Sequence, residues 1–303
     1  MEDSAFNVLT FDGGGLRGAL SISLLDRIQK EYHDIVSKTN MIGGTSTGSL
    51  IALGLAYGLS PSEIKKLYSV EKAKYIFDKS YSEVIRPKYD NVHLKEALLE
   101  VFPQNLRLKD LGKIVVIPTF YIGDKENSWK PIFYNNIPGS PTENEHVVDV
   151  ALSSSAAPVF FPTYNNHIDG GVVATDPSLA CIIYALSKEL SQTNSDIRLL
   201  SFGTGYCYNS IKQDTTQWGV LEWLTSKNPD LPIISITLEA NSQMSQSFSK
   251  MILEDNYYRI NPRMNRDIGM DDVHALDYLY KLGEDYDINS CIEWINNKWN
   301  IMV

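Results

Sequence analysis

Apolar positions along the chain gather into short continuous runs, broken by glycine-rich or polar stretches, and between those runs the spacing turns helical. Phe6–Phe11 is a first run of strand length. A loop with three consecutive glycines follows at 12–18, and residues 19–36 place Leu20, Leu24, Leu25 and Ile28 at helical spacing. Met41-Ile42-Gly43 then leads into Gly44-Thr45-Ser46-Thr47-Gly48, and the apolar stretch 49–56 behind it is long enough to begin a buried helix. Ser60-Pro61-Ser62-Glu63 reads as a capping box with proline at the first helical position. Residues 75–90 are irregular, aromatic and mixed in charge, whereas 92–102 is amphipathic and helical. Strands are expected at 113–121, 130–134 and 197–202, the last closing in Gly203-Thr204-Gly205, with a short helix at 147–155. Beyond Tyr206 the pattern is mostly polar and helical, ending in a helix at 290–299. Strands alternating with helices imply an α/β fold with a mainly parallel sheet covered on both faces.

Composition narrows this. With 303 residues, 43% apolar and 21% charged, the chain reads as soluble and globular, a single domain over 1–303. Twenty-seven basic residues against 37 acidic ones give −10, which argues against a nucleic-acid partner and against strong adhesion to anionic membranes. No apolar run approaches a transmembrane length; the longest, at about 50–59, is interrupted by glycine. The start, Met1-Glu2-Asp3-Ser4, has no signal-peptide core, and Cys181, Cys207 and Cys291 have neither metal nor redox spacing. A cytoplasmic location is expected, with any membrane contact peripheral.

Strand, sharp turn and helix are the setting in which Gly-x-Ser-x-Gly acts as a nucleophile elbow, and Ser46 stands at its centre. Such a turn places a hydroxyl at a helix N-terminus, where partial positive charge favours a developing anion. The glycine loop Gly13-Gly14-Gly15-Leu16-Arg17-Gly18 also matches Gly-x-Gly-x-x-Gly. A dinucleotide site would need an acidic residue ending the second strand, where this chain has Gly-Gly-Thr-Ser. The other use of such a loop is an oxyanion hole built from backbone N–H groups. Farther on, Asp169-Gly170-Gly171 reads as an exposed turn presenting a carboxylate. A Ser-His-Asp triad is the competing arrangement, since Ser46, Asp169 and His274 occur in α/β-hydrolase order. Only one strand precedes the elbow strand, however, and His274 reads as a helix-surface residue. Residues 285–289 begin like a calcium loop but lack its glycine and its final glutamate, so no metal site is read.

In order along the chain, the Asp12-to-Gly18 loop, the Gly44-to-Gly48 elbow and the Asp169-Gly170-Gly171 turn resemble the patatin-like phospholipase family. The likeness extends through Lys88-Tyr89-Asp90, Ser154-Ser155-Ala156-Ala157-Pro158, Gly203-Thr204-Gly205 and Glu254-Asp255-Asn256-Tyr257. It implies a three-layer α/β/α sandwich, with a catalytic core over about 6–206 and a mostly helical region over about 207–303. It also implies a serine–aspartate dyad that hydrolyses acyl esters of lipids without cofactor or metal. By position, Ser46 would be the nucleophile and Asp169 the base; the amides of Gly13, Gly14 and Gly15 would form the oxyanion hole, with Arg17 supporting that loop. Ser49 stands where many members carry a third elbow glycine, and Thr175-Asp176 replaces a common asparagine pair.

An aspartate with an ordinary pKa of ~3.9 is a poor base for a hydroxyl, so the dyad requires partial burial of Asp169 beside Ile168 and Val172. The implied substrate is a phospholipid, lysolipid or galactolipid ester at a membrane or micelle surface. A storage or scaffold protein with incidental esterase activity is the alternative. Two aromatic stretches invite a lipid-docking reading: Tyr75, Phe77, Tyr81 and Tyr89, and Ile292, Trp294, Ile295 and Trp299. Ordinary packing is the expectation for both.

Overall fold

The computed structural model describes residues 5–78, 86–227 and 231–299. The elements run β1 (Phe6–Phe11), α1 (Gly18–Glu31), β2 (Met41–Gly44), α2 (Thr47–Tyr57), α3 (Pro61–Lys65), α4 (Val70–Ile76), α5 (Val92–Leu99), β3 (Ile114–Tyr121) and β4 (Lys130–Asn135). They continue through α6 (Val147–Ser154), β5 (His167–Asp169), α7 (Gly171–Ala174), α8 (Ser178–Ser187), β6 (Ile197–Phe202), α9 (Val220–Thr225), α10 (Pro232–Leu253), β7 (Tyr257–Ile260), α11 (Leu276–Asp285) and α12 (Asn289–Lys298).

The sheet order is β4-β3-β2-β1-β6-β7, parallel from β3 to β7, with β4 and β5 antiparallel to β3. Side chains along a strand alternate between its faces, and both faces are covered. Leu9, Phe11, Ile42, Val115, Ile117, Leu200 and Phe202 join a core beneath α1, α2, α6 and α11. Their neighbours Phe6, Val8, Met41, Val116, Ile197 and Leu199 join a second core with Cys181, Ile182 and Ala185 of α8 and Leu253 of α10. This is the expected mixed α/β architecture. Ser60 makes the expected capping box, its hydroxyl and the Glu63 carboxylate each taking the other's backbone N–H. The first helix stops at Glu31, short of 36, because Tyr32 leaves helical geometry where the chain turns back towards β2.

The region beyond 206 departs from expectation. Its short run Tyr-Tyr-Arg-Ile is β7, a sheet-edge strand rather than a helix. Both aromatic stretches are largely packed inward where described: Tyr89, Ile295 and Trp299 are buried and Phe77 packs on the main core, while Tyr81 lies outside the described residues. No described helix is long and apolar enough to cross a membrane.

One detail of register governs the site. β4 takes one edge of β3 over residues 116–121, so β5, which pairs with 119–121, lies on the other edge. That edge is held by β2 at 114–116. β5 therefore enters the same lane from the opposite direction, and its last residue, Asp169, arrives just beyond the end of β2.

Below that end lies a buried ionic cluster. Arg259 of β7 grips both carboxylate oxygens of Asp12, at 3.1 and 2.5 Å, and reaches Asp176 at 3.3 Å and the Ser201 hydroxyl at 2.7 Å. Two buried carboxylates share one cation. Burial and the neighbouring Asp176 outweigh the pull of Arg259, so the Asp12 carboxyl is raised to about 7. Arg259→Met strips the cluster of its cation and should cost about 3–5 kcal/mol. Urea unfolding should show the loss at pH 8, and it should shrink at pH 5, where the carboxylates can take protons.

Candidate active site

The elbow is as tight as its sequence demands. Ser46 sits at φ 53°, ψ −121°, a conformation that a non-glycine residue holds only when its surroundings enforce it. A Cβ on Gly44 would run into the Gly48 backbone, and one on Gly48 would strike the Phe11 carbonyl, so strand and helix approach closely on both sides of the serine. Ser49, in place of a third glycine, donates its hydroxyl to the Ser46 carbonyl at 2.6 Å and is wholly buried.

The Asp169 carboxylate lies beside the Ser46 hydroxyl and accepts the Gly171 N–H at 2.7 Å. It is buried, not displayed on an exposed turn, with 7% of its surface accessible. Burial raises its pKa to about 6, while the contacts with Ser46 and the Gly171 N–H hold it lower than burial alone would.

Ser154, which sequence reasoning noted only as part of a motif, connects the two. Its hydroxyl accepts the Ser46 N–H at 3.0 Å and donates to the Pro118 carbonyl at 2.7 Å. Its own carbonyl accepts the Gly170 N–H at 3.1 Å, one residue past the aspartate. A single buried residue thus ties the elbow to the turn bearing the carboxylate. The signal was only a serine cluster at a helix end, which has many other uses.

Of the glycine loop, Gly13 is not a free donor: its N–H is bound to the Thr175 carbonyl at 2.9 Å. Leu16 N–H is likewise committed, to Met270 O at 2.7 Å. Gly14 and Gly15 have no backbone acceptor among the described residues and line the same loop. Gly15 needs to be glycine, because it has φ +58° and a Cβ there would enter the Met270 carbonyl. Arg17 donates its backbone N–H to the Gly14 carbonyl at 3.2 Å, within the loop. Its guanidinium makes no salt bridge among the described residues and its Nε has no partner, so burial lowers its pKa. Arg259 holds the start of the loop through Asp12. Thr175 and Asp176 serve this frame too, and neither lines the pocket.

A pocket opens beside Ser46, with about 750 Å³ of empty space, part of it open to solvent. Leu50, Leu67, Ile76, Phe77, Leu94 and Leu98 are among the apolar side chains of its wall. Lys88 and Tyr89 both bind the Asp271 carboxylate, which fixes the loop carrying Met270 at one side of this pocket. His274 is exposed, and its ring has no hydrogen-bond partner among the described residues. His167 instead bonds the Asn165 carbonyl through Nδ1 at 2.7 Å and Tyr134 through Nε2 at 3.3 Å. No group of three or more potential metal ligands occurs among the described residues.

Fold and site together mark a mixed α/β protein with an elbow serine, a buried carboxylate and an apolar pocket at the C-terminal ends of its parallel strands. A family model described as patatin-like phospholipase matches residues 9–182, and the chain belongs to that family of lipid hydrolases. Among its relatives, Protein teg of Priestia megaterium is 32% identical over 97% of this chain and 99% of its own length. The putative sporulation hydrolase CotR of Bacillus subtilis is 34% identical over 86% of this chain and 88% of its own. Patatin-like protein 2 of Arabidopsis thaliana is 29% identical over 92% and 82% respectively.

Two outcomes are expected. Ser154→Ala orphans the Ser46 N–H and the Pro118 carbonyl, lowering stability by about 1–3 kcal/mol in urea unfolding. Asp169→Asn should do the reverse at pH 8. The folded pKa of Asp169 lies above its unfolded value, so its stability contribution is full below about pH 4. It falls as pH rises through about 6, by roughly 3 kcal/mol in all. The amide avoids that loss, so the variant should melt no lower than the parent.

Proposed function

We propose that this chain cleaves carboxylic esters of lipids through Ser46 and Asp169, by way of an acyl-enzyme on Ser46. The observation that carries the reading is the buried Asp169 carboxylate beside a serine held in a strained elbow at the mouth of an apolar pocket. With a pKa of about 6, the carboxylate is ionised at neutral pH yet more basic than an ordinary aspartate.

In this mechanism Ser46 Oγ attacks the ester carbonyl while Asp169 takes its proton. The developing oxyanion is held by the Gly14 and Gly15 amides. Collapse expels the alcohol, which takes the proton back from Asp169. Water then attacks the acyl-enzyme with Asp169 again as base, and as the fatty acid leaves, Ser46 Oγ takes the proton back from Asp169. The acyl chain lies in the apolar pocket.

A fluorophosphonate should form one adduct, on the peptide containing Ser46, and none in Ser46→Ala. Asp169→Asn, still folded by circular dichroism, should retain under about 1% of kcat, since an amide cannot take the serine proton. His274→Ala and His167→Ala should keep most of theirs. The acid limb of kcat/KM should fall near pH 6, where Asp169 gains its proton. Labelling that survives Ser46→Ala, or an inactive His274→Ala with native circular dichroism, contradicts the dyad.

A further inference from the structure

α7 is a single turn of helix, and a side chain from another element closes it. In a regular turn the Thr175 N–H would donate to the carbonyl of Gly171, four residues back. Here the amide of Asn241, from the middle of α10, stands between them. Its Oδ1 accepts the Thr175 N–H at 2.8 Å, and its Nδ2 donates to the Gly171 carbonyl at 2.7 Å. One partner can only donate and the other only accept, which fixes the end of the amide that faces each. A second tie comes from the Thr175 hydroxyl, within reach of the Gly171 carbonyl at 3.0 Å and of the Leu238 carbonyl of α10 at 3.1 Å. The approach of α10 is close: a Cβ on Gly171 would stand 3.2 Å from the Leu238 side chain and 3.0 Å from the Asp169 carboxylate.

Each of the two residues that this amide joins holds one half of the proposed machinery. Gly171 donates its N–H to Asp169 Oδ1 at 2.7 Å, which steadies the carboxylate. Thr175 accepts the Gly13 N–H at 2.9 Å, at the root of the loop that carries the Gly14 and Gly15 amides. The bonds from base to loop therefore run through Asp169, Gly171, Asn241, Thr175 and Gly13. A four-residue helix holds its own geometry poorly, since one turn fixes several dihedrals for one hydrogen bond. The spacing of Gly171 from Thr175, and with it that of base from loop, is set by what is inserted between them.

Resting on the ester-hydrolase reading, we propose that Asn241 is a positioning residue for the reaction. Its amide sets where the Asp169 carboxylate and the loop bearing the Gly14 and Gly15 amides stand around Ser46. None of the described residues lining the acyl pocket belongs to α7 or α10, so the effect falls on the reacting groups and not on acyl binding. Loss of the amide should therefore lower kcat and leave KM nearly alone. It should also alter the proton affinity of Asp169. Burial raises that carboxyl, the Ser46 hydroxyl and the Gly171 N–H lower it, and no charged side chain is among the causes. Releasing Gly171 weakens one of the two groups that favour the charged form, which raises the midpoint.

The test compares Asn241→Ala and Asn241→Asp with Gln243→Ala, a control on the exposed face of the same helix, using a soluble short-chain fluorogenic ester. Asn241→Ala should lower kcat by at least about tenfold, towards the roughly hundredfold cost of a ~1 Å misplacement, with KM within about twofold of the parent. The acid limb of kcat/KM should move to higher pH, and so should the carbon-13 midpoint of Asp169. Asn241→Asp keeps the acceptor for the Thr175 N–H but turns an oxygen towards the Gly171 carbonyl and adds a negative charge, so both should move further the same way. Gln243→Ala should match the parent. A merely structural role would lower the melting temperature and leave limb and midpoint where they are. An Asn241→Ala enzyme that keeps its kcat, or one with a low kcat and an unmoved midpoint, overturns the proposal. Should Asn241→Ala not fold, Asn241→Asp carries the same comparison. If the parent cleaves no ester, the hydrolase reading fails instead, and the Asp169 midpoint in the two variants still decides whether the amide holds the carboxylate.

Discussion

The Asp169 carboxylate is kept from water, and the rest of the site is organised to hold it so. Burial makes it basic; one backbone N–H and the Ser46 hydroxyl keep it from becoming so basic that it stays protonated. In the proposed dyad, this balance is what lets a serine be activated without an imidazole. A histidine is a base near neutrality in water. An aspartate reaches the same range only when desolvated, so the protein must spend stability to place it there. The cost is offset by the two apolar cores on either side of the sheet.

Placement depends on backbone more than on side chains. β2 ends at Gly44 and β5 comes up the same lane from the other side, so the elbow and the carboxylate meet across a gap in the sheet. Ser154 bridges that gap with its hydroxyl and its carbonyl. On the other side of the elbow, the glycine loop hangs between two anchors. Arg259 holds Asp12 at its start, and the Met270 carbonyl holds Leu16. Between these anchors the Gly14 and Gly15 amides remain free of backbone partners, while Gly13 is spent on Thr175. The apolar pocket then adjoins the serine and the loop that carries both amides.

Much of this was legible from residue order alone. β1 and β6 coincide with their mainly apolar runs because both faces of those strands are buried, so apolar residues fall on both. The elbow was legible because small residues on both sides of a serine answer a steric demand that few other structures make. Asp169 could be singled out but not placed. Asp-Gly-Gly reads as an exposed turn, and its burial comes from β3 and α6, which no local pattern announces. β7 was missed because a four-residue edge strand of two tyrosines, an arginine and an isoleucine has no period to read. The part played by Arg259 was not legible for a related reason. Arg17 is adjacent in sequence, whereas Arg259 reaches Asp12 only because β1, β6 and β7 lie side by side.

The most direct test of this account is the titration of the Asp169 carboxyl itself, followed by carbon-13 NMR in protein labelled at aspartate. The midpoint should lie near 6, and higher in Ser46→Ala, where the hydroxyl that stabilises the charged form is gone. A midpoint at or below the ordinary ~3.9 would mean that Asp169 is well solvated or paired, and so not the base.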